Sequence, residues 1–180
     1  MFKNRLLLET FLDQEITKVR REIWLPDFES LDPIIRDEES DGPIELTFCN
    51  GVTIGIFSNT EEMSIEIKEG PIAAPSSAFV SRDLTENSFW LARVGKPIER
   101  IDVLQSIYDS PLSAIFFGVE LFCLGADSFV VEYISDEDHT DQIRITGPYA
   151  GPDCRRTRVE RHINELKATW GRIQLADLGT

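Results

Sequence analysis

Few residues in this chain have the chemistry that most catalytic centres draw on. His139 and His162 are its two histidines, and a general base needs its imidazole within reach of a nucleophile or an orienting carboxylate. His162 follows Arg155, Arg156, Arg158 and Arg161, the composition of a solvated helix face. His139 lies in Asp136-Glu137-Asp138-His139-Thr140-Asp141, where carboxylate oxygens could hold a hard cation. That run lacks the Asp-x-Asp-x-Asp-Gly order and the distant bidentate Glu of a calcium loop, so an exposed charged turn is the simpler reading. Cys49, Cys123 and Cys154 never approach Cys-x-x-Cys spacing, which indicates neither a disulfide framework nor a zinc site. Cys49 and Cys123 read instead as small buried hydrophobes at strand ends. The sequence contains no phosphate-cradling glycine loop, no Gly-x-Ser-x-Gly elbow and no His-Glu-x-x-His helix. No catalytic residue, metal or cofactor is assigned on this basis, and the reading leans away from an enzyme.

The charge balance narrows the partners. Against 18 Lys and Arg stand 32 Asp and Glu, a formal charge of −14, which repels phosphate backbones and anionic headgroups over a Debye length. Nucleic acid and membrane are therefore not expected, whereas a basic protein would be attracted. Acidic residues cluster at Asp37-Glu38-Glu39-Ser40-Asp41, at Glu61-Glu62 and at Asp136 to Asp141. The apolar run Leu6-Leu7-Leu8, bracketed by Arg5 and Glu9, is too short for a signal peptide or a membrane span. A cytoplasmic protein is expected.

The elements that would position these groups announce themselves by self-similarity. Gly70-Pro71-Ile72-Ala73-Ala74-Pro75 and Gly147-Pro148-Tyr149-Ala150-Gly151-Pro152 share four of six residues. Ile65-Glu66-Ile67 faces Ile143-Arg144-Ile145, and Glu45-Leu46-Thr47-Phe48-Cys49-Asn50-Gly51 aligns with Glu120-Leu121-Phe122-Cys123-Leu124-Gly125 after one deletion. Leu12, Ile16, Lys18 and Val19 correspond to Val94, Ile98, Arg100 and Ile101. Shared turn residues explain the Gly-Pro pairs but not the recurring Glu-Leu. The expectation is a pair of tandem pseudo-symmetric repeats, about 6–75 and about 88–152, in one compact body over residues 1–180.

Within the first repeat, Ile44, Leu46 and Phe48 alternate with Glu45 and Thr47, the period of a strand with one buried face. Asn50-Gly51 follows, the strongest short hairpin signal, for which a type I′ turn is expected. Val52, Ile54 and Ile56 return, and Met63, Ile65 and Ile67 make a third strand. In the second repeat Val119 and Leu121 lead through Leu124-Gly125 to Phe129–Tyr133, and Ile143 and Ile145 close the unit. Each repeat opens with a short helix, ending near Leu12 or Val94, and a strand from Ile16 or from Ile98 to Leu104. After Pro152, Val159, Ile163, Leu166 and Trp170 sit at helical spacing, with Asp153 a cap and Gly171 a stop. The fold class expected is β-rich α+β: two helix-plus-β-meander repeats with a C-terminal helix over 153–171.

Trp90-Leu91-Ala92-Arg93-Val94-Gly95-Lys96-Pro97-Ile98, with Gly118-Val119-Glu120-Leu121 after it, resembles small acidic bacterial proteins of unknown function, some of them immunity proteins of toxin systems. The resemblance brings no functional residue across; it implies a cytoplasmic protein that inhibits by binding. The leading expectation is a non-catalytic protein-binding module for a basic partner, with Glu61, Glu62, Asp136, Glu137, Asp138 and Asp141 as matched acidic tips. One alternative is a small-molecule-binding or enzymatic domain whose apolar pocket, lined by Trp90, Phe116 and Phe117, lies at the junction between the repeats. Another is a self-assembling structural protein that pairs through an exposed sheet edge.

Overall fold

The computed structural model describes residues 5–30, 39–40, 42–73, 77–107, 115–135, 142–151 and 153–160. Strands dominate. The first six are β1 (Ile16–Trp24), β2 (Glu39–Ser40), β3 (Ile44–Phe48), β4 (Thr53–Asn59), β5 (Ser64–Glu69) and β6 (Phe79–Asp83). They continue as β7 (Ile98–Ser106), β8 (Phe116–Cys123), β9 (Phe129–Ile134), β10 (Gln142–Thr146) and β11 (Cys154–Arg158). One sheet has the order β5-β4-β3-β1-β6, the other β11-β7-β8-β9-β10-β2, and every pairing is antiparallel.

The two sheets enclose one apolar core. Val19, Ile44, Leu46, Ile54, Ile56 and Ile67 of the first sheet pack with Ile101, Val103, Leu121, Phe129, Val131 and Ile145 of the second. Burying a side chain of this size contributes roughly 1.5–3 kcal/mol. Two aromatic contacts brace its ends: Phe11 stacks on Phe48 at 4.4 Å, and Trp90 meets Phe129 edge-on at 4.9 Å. The fully buried Arg21 belongs to the first sheet, yet its Nη2 donates to the Ile143 carbonyl of the second.

At one corner the sheets are tied by reciprocal backbone bonds. The Asp13 N–H donates to the Ile98 carbonyl at 2.8 Å, and the Gly95 N–H to the Ile16 carbonyl at 2.9 Å. Asp13 and Gly95 both take positive φ, 64° and 73°, which turns the chain sharply into β1 and β7.

The α+β expectation of helix-plus-meander repeats with a C-terminal helix is overturned. The helices α1 (Arg5–Glu9), α2 (Leu25–Ser30) and α3 (Ser88–Leu91) have 5, 6 and 4 residues, too short to form a layer. α1 ends at Glu9, short of the expected Leu12, and a turn follows in which the Gln14 N–H donates to the Phe11 carbonyl. Ile16 and Val19 then enter β1 across a bulge between Ile16 and Lys18 that lets both face the core. Where a helix from Asp153 was expected, Cys154–Arg158 is an edge strand on β7. The open backbone groups of β7 supply hydrogen bonds there that a five-residue stretch could not match as an isolated helix. Ile163, Leu166, Trp170 and the rest of the expected helix lie outside the described residues.

The strand starts expected at Ile16 and Ile98 are observed, and strand order runs alike in the two sheets, apart from the added β2. The first hairpin turns differently from expectation. Gly51 alone has positive φ, 82°, and its N–H donates to the Phe48 carbonyl, as in a type I turn closed by a left-handed glycine rather than a type I′ turn.

Candidate functional site

Glu45 and Glu120 sit on the outer faces of the two sheets and are nevertheless buried, Glu120 almost completely. The cause is the segment that follows each meander. In the first sheet the Ile72 N–H donates to Glu45 Oε2 at 2.7 Å, Arg20 Nη2 donates to the same oxygen at 2.8 Å, and Arg20 also donates to the Ile72 carbonyl at 2.9 Å. In the second, Glu120 Oε1 accepts from Ser128 Oγ at 2.7 Å and from the Tyr149 N–H at 3.3 Å, while Arg156 of β11 pairs with Oε2. Each carboxylate thus holds the residue after a Gly-Pro pair against the sheet, with an arginine as counter-ion. The recurring Glu-Leu and Gly-Pro motifs are two ends of one contact in each sheet, a link the one-dimensional reading missed. Charge adjacent to an apolar strand residue was its only sequence signal.

Tyr149 leads to the cleft. A hollow of about 310 Å³ opens where the ends of β7, β8, β9 and β10 meet the start of β11. Phe117 and Tyr149 form aromatic walls, and Cys154 and Ile107 line one side, while Tyr133, which also borders the hollow, is buried in the core. Phe117 and Tyr149 approach at 6.0 Å between centroids, and the Arg156 guanidinium lies 5.5 Å from the Tyr149 ring. On the opposite side Arg144 donates through Nε and Nη2 to Glu132 Oε1, at 3.0 and 2.9 Å. Burial pushes the Tyr149 phenol up to about 12 and also raises the Cys154 thiol, so both present neutral groups near pH 7. The cleft offers aromatic surface, neutral donors and one ion pair, the mixture of a binding site. The raised Cys154 thiol is a weak nucleophile at neutral pH.

The expected site residues fall in separate places. Trp90 is inside the core between Phe89 and Phe129; Phe116 is partly buried and packs against that core; Phe117 lines the outer-face cleft. Glu61 and Glu62 are exposed on the turn between β4 and β5. Asp136, Glu137, Asp138 and Asp141 lie outside the described residues, as do both histidines. Among the described residues no cluster of metal-ligating side chains occurs, and no helix is long and apolar enough to cross a membrane.

Cys123 is buried and Cys154 half-buried, while Cys49 is exposed, contrary to the reading of Cys49 as a buried hydrophobe. Its position beyond the last residue of β3 carries it past the edge of the core.

No family model matches this chain, and no curated protein or solved structure is detectably similar to it.

Proposed function

We propose that the protein is a non-catalytic protein-binding module that engages a basic partner, with an immunity role against a basic toxin as the sharpest form of that reading. The observation that carries it is the disposition of charge. Within a formal charge of −14, Arg20, Arg100, Arg144 and Arg156 are drawn into ion pairs with carboxylates on the outer sheet faces. Glu61 and Glu62 stand exposed at a hairpin tip. A net negative field in which these arginines are matched by neighbouring carboxylates attracts a cationic surface and speeds encounter with it.

The deciding experiment identifies a basic partner by affinity capture and then measures its binding to the purified chain by calorimetry. Reversing the tip with Glu61→Lys and Glu62→Lys is expected to weaken binding at least about tenfold and to flatten its salt dependence. An unchanged affinity, or turnover of a metabolite by the purified chain, would remove the reading.

The cleft favours a second reading, a small-molecule site. Its volume of about 310 Å³ falls at the lower end of ligand pockets. A metabolite that raises the melting temperature of the wild type, but not of Phe117→Ala, would support it.

A further inference from the structure

β11 is the outer strand of its sheet, and within five residues it carries Arg155, Arg156 and Arg158, a basic stripe on an acidic chain. Its inner edge belongs to β7, with Cys154 opposite Ser106 and Arg158 opposite Asp102. Along an antiparallel ladder, residues that exchange hydrogen bonds with the neighbour alternate with residues whose N–H and C=O point away from it. The Val159 N–H donates to the Ile101 carbonyl at 2.9 Å, which continues the same register and makes Val159, Thr157 and Arg155 the bonded set. Cys154, Arg156 and Arg158 therefore turn their backbone groups outward, in the two-residue repeat that an added strand requires.

Side chains choose the occupant. Arg156 is occupied by Glu120 and the Tyr149 ring. Arg155 and Arg158 are exposed and form no ion pair among the described residues. A second copy of β11 would set arginine against arginine across the new ladder, which is repulsive. An acidic strand would place carboxylates there instead. Beside Cys154 the added strand would reach the cleft walled by Phe117, Tyr149 and Ile107, deep enough for one apolar side chain. Strand addition draws affinity from the main chain and specificity from such a pocket.

We propose that β11 is a docking edge for an extended acidic segment of a partner protein, with carboxylates at Arg155 and Arg158 and one apolar side chain in the cleft beside Cys154. This contact is separate from the acidic tip and does not depend on it.

Arg155 and Arg158 project from opposite faces of β11, so the test uses a fluorescein-labelled peptide with two Glu three residues apart, a Phe directly after the second and Val or Thr elsewhere, and the same peptide with Lys in place of Glu. Anisotropy should show binding of the acidic peptide alone, weakened by added salt and lowered at least about tenfold by Arg155→Glu with Arg158→Glu. Both arginines are exposed, so a thermal melt should show that variant folded. Phe117→Ala should weaken binding several-fold. Hydrogen exchange should show the Cys154, Arg156 and Arg158 amides gaining protection on peptide addition. The proposal is overturned by failure of the acidic peptide to bind, by equal binding of the Lys peptide or by protection confined to other amides. Slow exchange of those three amides in the free monomer also overturns it, and so does a dimer that protects them.

Discussion

Glu45 accepts the backbone N–H of Ile72 at 2.7 Å, a charge-assisted bond across the outer face of the first sheet between residues far apart in the chain. Arg20 closes the arrangement by donating both to Glu45 and to the Ile72 carbonyl. Replacing the carboxylate with Glu45→Ala strands a buried N–H and an arginine together, and should cost about 2–4 kcal/mol in urea denaturation. Glu45→Gln keeps an acceptor and should cost clearly less; equal losses would mean that packing rather than the carboxylate holds Ile72.

Glu120 and Arg156 form the corresponding pair in the second sheet, and they bind β11 to β8 across β7. Glu120→Gln and Arg156→Met should therefore be non-additive, with a coupling of about 1–3 kcal/mol in a double-mutant cycle. Losses that simply add would contradict a direct interaction. Because Glu120 also accepts from Ser128 and Tyr149, its single variant should be the more damaging of the two.

Gly118 and Gly51 should fail for different reasons. A Cβ on Gly118 would stand 2.9 Å from both the Val131 carbonyl oxygen and Glu132 Cβ, so Gly118→Ala forces β8 from β9 and should cost about 1–3 kcal/mol. At Gly51 there is open space, but φ is +82°. Gly51→Ala should cost about 1–2 kcal/mol through backbone strain, and Gly51→Asn less, since asparagine tolerates that region. Chemical denaturation of the three variants checks the contrast.

Burial pushes the Cys123 thiol up to about 11, the nearby Arg93 only partly offsetting it. The folded state thus favours the neutral thiol, whereas an unfolded cysteine ionises near 9.0. The stability linked to this group is complete below pH 9 and declines as pH rises towards about 11. Denaturation of wild type and Cys123→Ala across that window should show their stability difference shrinking with pH; a constant difference would refute the linkage. Tyr149 and Cys154 titrate in both proteins and cancel in the comparison.

The alternation Ile44-Leu46-Phe48 and its return Ile54-Ile56 are legible because a strand with one buried face writes its period into four or five consecutive residues. The beginnings of β1 and β7 are legible for a different reason: Gly95-Lys96-Pro97 breaks a helix just before Ile98, and the matching segment puts the first start at Ile16. Val159 shows where that logic stops. Its spacing to Ile163, Leu166 and Trp170 reads as a helix, yet Val159 is buried at the end of an edge strand, hydrogen-bonded to Ile101. The expected pocket residues separate on the same grounds: an aromatic ring does not say which side of a sheet it will face, and Trp90 went to the core while Phe117 lines the cleft.

By itself the sequence determined the periodicities, the turns and the excess of negative charge, all of which act between neighbours or through the whole chain. Tertiary structure alone decided that β7 would recruit Cys154–Arg158, and which arginine would neutralise each buried glutamate. Strand pairing and ion pairing depend on the distance between residues remote in the chain. That distance exists only once the two sheets have closed on their shared core.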